Sequence, residues 1–151
     1  MTNAPHNLER FIQAQEQVYV TVLSELNRGR KSTHWMWFIF PQIKGLGSSE
    51  LTNFYAIKSL DEAICYLNHP LLGARLLECS EIILGFKDRS IGDIFAYLDD
   101  LKLLSCMTLF SKVVGSRPVF DALIEQCFAG QPDARTLELI NAAQVSACSL
   151  R

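Results

Sequence analysis

Long hydrophobic runs are missing from this chain, and no stretch approaches the roughly 20 apolar residues that cross a bilayer. A basic excess is missing too. Fourteen Lys and Arg stand against sixteen Asp and Glu, a formal net charge of −2. That balance lacks the broad basic footprint of a nonspecific nucleic-acid binder. The five cysteines include no C-x-x-C pair, which argues against a disulfide framework or a zinc knuckle. No leader of the secretory kind is evident, and Met1 to Pro5 lacks the Arg-rich character of a transit peptide. These absences predict a soluble protein of a reducing, cytoplasmic compartment. No His, Cys and carboxylate spacing calls for a metal, and no motif calls for a cofactor.

What is present is apolar. The chain has 151 residues, 49% of them hydrophobic and 20% charged. That is one domain's worth by length, with one sizeable core and nothing of the composition of disorder. A single helical domain over residues 1–151 is expected, with residues 1–6 as a flexible tail.

The pattern of that apolar content is helical. Leu8, Phe11, Ile12, Val18, Tyr19, Val22, Leu23 and Leu26 follow one helical stripe from Asn7, with Gly29 as a stop. Gln15 lies on the stripe and needs hydrogen-bond partners there, most simply a backbone group. The run His34-Trp35-Met36-Trp37-Phe38-Ile39-Phe40-Pro41 is apolar on both alternating faces and reads as a buried extended segment ended by proline. A helix-like run follows from Ser48 or Ser49 to Ile57. Ser59 and Glu62 form a capping box, and Pro70 suits the first turn of another helix, with His69 just ahead of it. Ser90 or Asp93 can cap a short helix. Asp99 or Asp100 opens a strongly apolar one, Pro118 begins a third that ends at Gly130, and Asp133 caps a last. The fold class is all-α, with one extended aromatic segment.

Charge is uneven along the chain. Residues 28 to 48 hold Arg28, Arg30, Lys31 and Lys44 and no acid, which leaves ten basic against sixteen acidic residues elsewhere. The same window carries His34, Trp35, Trp37 and Gln42, and ends in Gly45-Leu46-Gly47-Ser48 before a predicted helix. Aromatic faces stack rings, glycines let a ligand approach the backbone, and helix N-terminal amides favour anions. The window therefore reads as a pocket for a small anionic, nucleotide-like molecule, with Trp35 and Trp37 stacking and Gln42 reading polar edges. Lys44 and the amides of Gly45, Gly47 and Ser48 would hold phosphate. The plainer reading makes Trp35 and Trp37 core and the basic residues a solvated rim. Lys102 sits within a helix that is apolar nearly all round, and Asp99, Glu62 or Asp93 can pair with it. His34, Glu62 and Lys102 are the candidates for proton transfer. The cysteines read as small hydrophobes, although Cys106 with His34 would make a nucleophile and base if the fold brought them together.

The run His34 to Gln42 with Gly45-Leu46-Gly47-Ser48 resembles the signature of domain-of-unknown-function family eighteen-ten. The resemblance extends upstream through Phe11, Gln15, Tyr19 and Gly29, and downstream through Glu62-Ala63, His69-Pro70, the Asp99 to Phe110 block and Gly130 to Leu137. It covers essentially the whole chain. Ala96 stands where the family usually has glycine and Cys106 where it usually has serine, so a shared cysteine nucleophile is not implied. The resemblance implies a small, mainly helical bacterial protein with no assigned activity. Members are often labelled calpastatin, but calpain inhibitors of that name are long, repetitive and disordered, unlike this apolar domain. A fainter similarity is to helical glycosidase-like proteins that act on ADP-ribose derivatives. They also set Trp, Gln and carboxylates around a phosphorylated ribose, an analogy without a residue-by-residue match.

Two functions follow. One is a domain binding, or binding and hydrolysing, a small phosphorylated-ribose or nucleotide-like molecule. The other is a non-catalytic interaction or structural domain in which the aromatic segment is core. A nucleic-acid partner ranks third, because four positive charges in an acidic protein bind a phosphate backbone weakly.

Overall fold

In the computed structural model of the chain, residues 6–149 are described, with side chains to residue 144. Of the tail expected over residues 1–6, residues 1–5 lie outside them. Ten helices follow in order: α1 (Glu9–Glu16), α2 (Tyr19–Asn27), α3 (Met36–Ile39), α4 (Glu50–Tyr55), α5 (Leu60–Asn68), α6 (Leu72–Leu84), α7 (Ile91–Ile94), α8 (Asp99–Ser111), α9 (Pro118–Phe128) and α10 (Ala134–Ser149). Among the described residues there is no strand, only an isolated bridge between Ile43 and Ile57. The all-α architecture expected from the helical punctuation is the one found.

Local chemistry explains most helix ends. Ser49 and Ser59 accept the amides of Thr52 and Glu62, each at 3.1 Å. Asp133 accepts the amide of Thr136 at 3.1 Å and so caps α10, and Pro118 occupies the first turn of α9. His69 caps with its ring, as Nδ1 accepts the amides of Leu71 and Leu72 at 3.1 and 3.2 Å. Gly73 follows at a close approach, since a Cβ there would lie 1.9 Å from the Leu67 carbonyl oxygen.

Two sequence expectations need correction. The first apolar stripe is not one helix, because the chain bends at Gln17 and Val18. α1 packs on α3 while α2 packs on α6, so two halves of one periodic pattern serve different neighbours. The aromatic run is also not extended through its middle, where residues 36–39 form a single helical turn. Glu25 anchors the segment that leads into this turn. Its carboxylate accepts the amides of Ser32 and Thr33 at 2.7 and 3.0 Å, the Thr33 hydroxyl at 2.6 Å and the Trp35 indole N–H at 2.9 Å. Burial alone would raise the Glu25 carboxyl, but these four donors prevail and hold it down at about 2.

The core is one cluster of apolar side chains centred on α8, which packs against α9, α5 and α10. Gln15 crosses it as a satisfied polar brace. Its amide NH2 donates to the Phe38 carbonyl at 2.7 Å and the Tyr66 hydroxyl at 3.0 Å, and its oxygen accepts from Arg75 at 3.3 Å. Every fully buried side-chain nitrogen and oxygen among the described residues has a partner. No described helix is long and apolar enough to cross a membrane.

Candidate ligand site

The start of α8, the loop after the aromatic turn and the residue ahead of α10 converge on one face. The loop is held by the Ile43–Ile57 bridge, in which the Lys44 amide donates to the Ile57 carbonyl and the Ile57 amide to the Gln42 carbonyl, both at 2.8 Å. Between these elements lies a cleft of ≈ 230 Å³, bordered by Gln42, Leu46, Gly47, Thr52, Leu98, Leu101, Lys102, Ser105 and Asp133. The half-buried Trp37 ring lies behind it, sharing Gln42, Leu46 and Thr52 as neighbours. The Lys102 ammonium sits 5.3 Å from the centre of that ring, within cation–π range.

The cleft carries one charge of each sign. Lys102 pairs with Asp99 at 3.4 Å, and Asp99 also holds Lys31 at 2.9 Å. Asp99 is thus the partner that the sequence offered for Lys102. Asp133 Oδ2 accepts from Ser105 at 3.1 Å, from the Thr136 amide and from the Thr136 hydroxyl. Its other oxygen has no hydrogen bond among the described residues, and neither has the Gln42 amide. These groups can still accept or donate. Leu98 forms the rim with φ of 85° and ψ of −40°, a conformation costly for a residue with a Cβ.

The sequence-predicted residues divide. Trp37, Gln42, Gly47 and Lys102 come together. Trp35 does not join them: it is 1% exposed, packs against Phe40 and Phe95, and spends its indole N–H on Glu25. It is core, as the plainer reading had it. Lys44, Gly45 and Ser48 are exposed and border none of the cavities described here. Gly45 backs onto Leu139, and the first turn of α4 is already capped by Ser49. His34 is exposed and lies apart from the cleft. Glu62 is 1% exposed and fully engaged, one oxygen on Arg10 at 3.0 Å and the other on the Lys58 amide at 2.7 Å. That second bond goes to Lys58 rather than back to Ser59, so the expected capping box is only half formed. The trio of His34, Glu62 and Lys102 therefore makes no proton-transfer centre.

Ser105, Asp133, Thr52, Leu98 and Leu101 were missed as site residues. Asp133 and Ser105 carried a signal, a helix cap facing a serine in an otherwise apolar helix. Cys106 is fully buried and burial pushes its thiol well up, which removes it as a nucleophile. Among the described residues, no three His, Cys, Asp or Glu side chains gather as a metal set.

A small all-helical protein with a polar, one-lysine cleft is the class that fold and site define. The chain belongs to the family described as "Protein of unknown function (DUF1810)", whose model matches residues 5–140. A solved structure of similar fold is that of the conserved hypothetical protein Rv1873 from Mycobacterium tuberculosis. It is 48% identical, with a TM-score of 0.89 over 91% of this chain and 99% of that one. No curated protein matches the chain.

Proposed function

We propose that this protein binds a small phosphorylated ribose or nucleotide-like molecule in the cleft between Gln42, Lys102 and Asp133. The observation that carries the reading is the Lys102 ammonium poised over Trp37 in a cleft that Asp133, with an unused carboxylate oxygen, also lines. The lysine suits a phosphate, and Asp133 and the Gln42 amide suit sugar hydroxyls. The volume of ≈ 230 Å³ falls below the roughly 300–1,000 Å³ of drug-sized pockets, so one sugar phosphate fits better than a whole dinucleotide. Binding is favoured over hydrolysis, because Glu62 and His34 stand away from the cleft. The reading also keeps the protein in a reducing cytoplasmic setting, supported by four unpaired cysteines among the described residues.

The test is a thermal-shift and calorimetric series with ribose 5-phosphate, AMP and ADP-ribose. A ligand at a hundred times its Kd adds about 2.7 kcal/mol, or roughly 5–10 °C for a chain of this size. The shift should vanish in Lys102→Met and persist in Lys44→Met. A flat response to the whole series overturns the reading.

The interaction-domain reading has its own observation. Tyr97, Leu98 and Leu101 are exposed beside the cleft, at 80%, 52% and 46%. If they are a docking patch, Leu98→Ser and Leu101→Ser abolish complex formation while leaving ligand shifts absent throughout.

A further inference from the structure

The four basic residues of the window 28 to 48 do not line the cleft. Three of them gather on another part of the surface, where Arg28, Arg30, Lys31, Ser32 and Arg89 line an open hollow of ≈ 640 Å³. No carboxylate lines it. Arg89 comes from the stretch between α6 and α7, so the hollow is built by tertiary contact.

Two of the four cations are fixed in place. The Arg89 guanidinium donates to the Gly29 carbonyl at 2.9 Å and lies 5.5 Å from the centre of the Phe86 ring. Gly29 has φ of 76°, and a Cβ there would come within 2.7 Å of Arg89 Nη1, so a glycine is what lets the arginine lie down against the turn. Lys31 is held by Asp99 at 2.9 Å, its ammonium 5.1 Å from the Trp35 ring centre. The other two, Arg28 and Arg30, are exposed, and neither their side chains nor that of Arg89 form an ion pair with a described residue. The three guanidinium groups have no counter-ion among the described residues and repel one another, while Gly29 and the Phe86 ring hold Arg89 among them. A multiply charged anion relieves that repulsion, and guanidinium forks match phosphate oxygens two at a time.

We propose that this hollow is a second anion site that takes a phosphate chain, with Arg28 and Arg30 closing on the anion and Arg89 forming the fixed floor beside the Asp99-paired Lys31. The hollow is too open to select a particular organic group, so recognition rests on the phosphates. Free pyrophosphate or tripolyphosphate and the phosphate tail of a nucleotide are the two sources of that chemistry. Nothing in this assignment depends on the cleft at Lys102.

The plainer account is that Arg28 and Arg30 merely offset the negative C-terminal end of the α2 dipole. Isothermal titration at low salt with sulfate, phosphate, pyrophosphate, tripolyphosphate and ATP separates the two. Affinity is expected to climb from phosphate to tripolyphosphate and to fall as sodium chloride is added. Arg28→Gln with Arg30→Gln should weaken tripolyphosphate by about tenfold or more, since each removes a charge-assisted bond. Neither side chain makes a hydrogen bond within the described fold, so the double variant keeps its structure, and circular dichroism checks this. Lys44→Met, at an exposed cation that lines neither the hollow nor the cleft, should bind tripolyphosphate as the parent does. ATP equal to tripolyphosphate points to the free inorganic chain, and ATP binding more tightly points to a nucleotide. Equal affinity in the double variant, or a preference for sulfate over tripolyphosphate, overturns the proposal. Tighter binding of an oligonucleotide than of any of these compounds also overturns it, in favour of a nucleic-acid surface.

Discussion

Replacing Glu25 by glutamine tests the account of how the aromatic turn is held. The carboxylate is 2% exposed and receives four donors from a segment seven to ten residues further on. Its carboxyl lies at about 2 in place of the ordinary 4.5. At 1.36 kcal/mol for each pH unit, that gap is worth about 3 kcal/mol of stability. The sign follows from the direction. An unfolded chain takes up a proton near pH 4.5 while the folded one resists until about pH 2, so the stabilisation is present above 4.5 and drains away as pH falls to 2. Glutamine preserves the shape. Its carbonyl can accept the three N–H groups, and its NH2 can donate to the Thr33 hydroxyl, so the variant loses the charge and little else. Urea unfolding at neutral pH should show Glu25→Gln weaker by about 3 kcal/mol. Repeated at falling pH, the difference should shrink between 4.5 and 2. A difference that stays constant through that interval would refute the assignment of the stability to an ionised Glu25.

The two tryptophans should part company in the same assay. Trp35→Ala should cost about 3–5 kcal/mol as a buried aromatic truncation, and Trp37→Ala clearly less, because Trp37 is only half-buried. Gly73→Ala should cost about 3 kcal/mol, because the clash is with backbone that cannot rotate away, and a drop in melting temperature would register it. Burial pushes the Cys79 thiol up to about 12 and Cys106 well up, so neither should be alkylated by iodoacetamide in the folded protein. Among these described cysteines the exposed Cys65 should react first, as peptide mapping by mass spectrometry would show.

Helix ends were the most legible part of this sequence, because the physics that sets them is local. Ser49, Ser59, Asp133 and Pro118 act within three residues of where they stand. The bend at Gln17 and Val18 left no such mark, since the apolar stripe runs on unbroken and only the arrangement of α3 and α6 divides it. The aromatic run was misread for a related reason. A stretch apolar on every side has no period to read, and the carboxylate that anchors its approach belongs to another helix. For the site, counting charge in a window found an excess of cations but not their direction. Arg28, Arg30 and Lys31 turn one way and Gln42 and Gly47 another, with Trp35 walled in between. Lys102 was found because a lysine inside an apolar helix needs a partner, and Asp99 proved to be that partner. Asp133 escaped because its capping role accounted for it in full.

Leu98 keeps a backbone shape that glycine would take at little cost, held there by the Asp100 carboxylate, which receives the amides of Leu98 and Leu101 at 3.1 and 2.8 Å. A segment already raised in energy needs less to come loose than the packed helix behind it. Amide hydrogens around Tyr97 to Leu101 should accordingly exchange with deuterated solvent ahead of those deep in α8. The lip of the cleft then breathes before the helix it leads into.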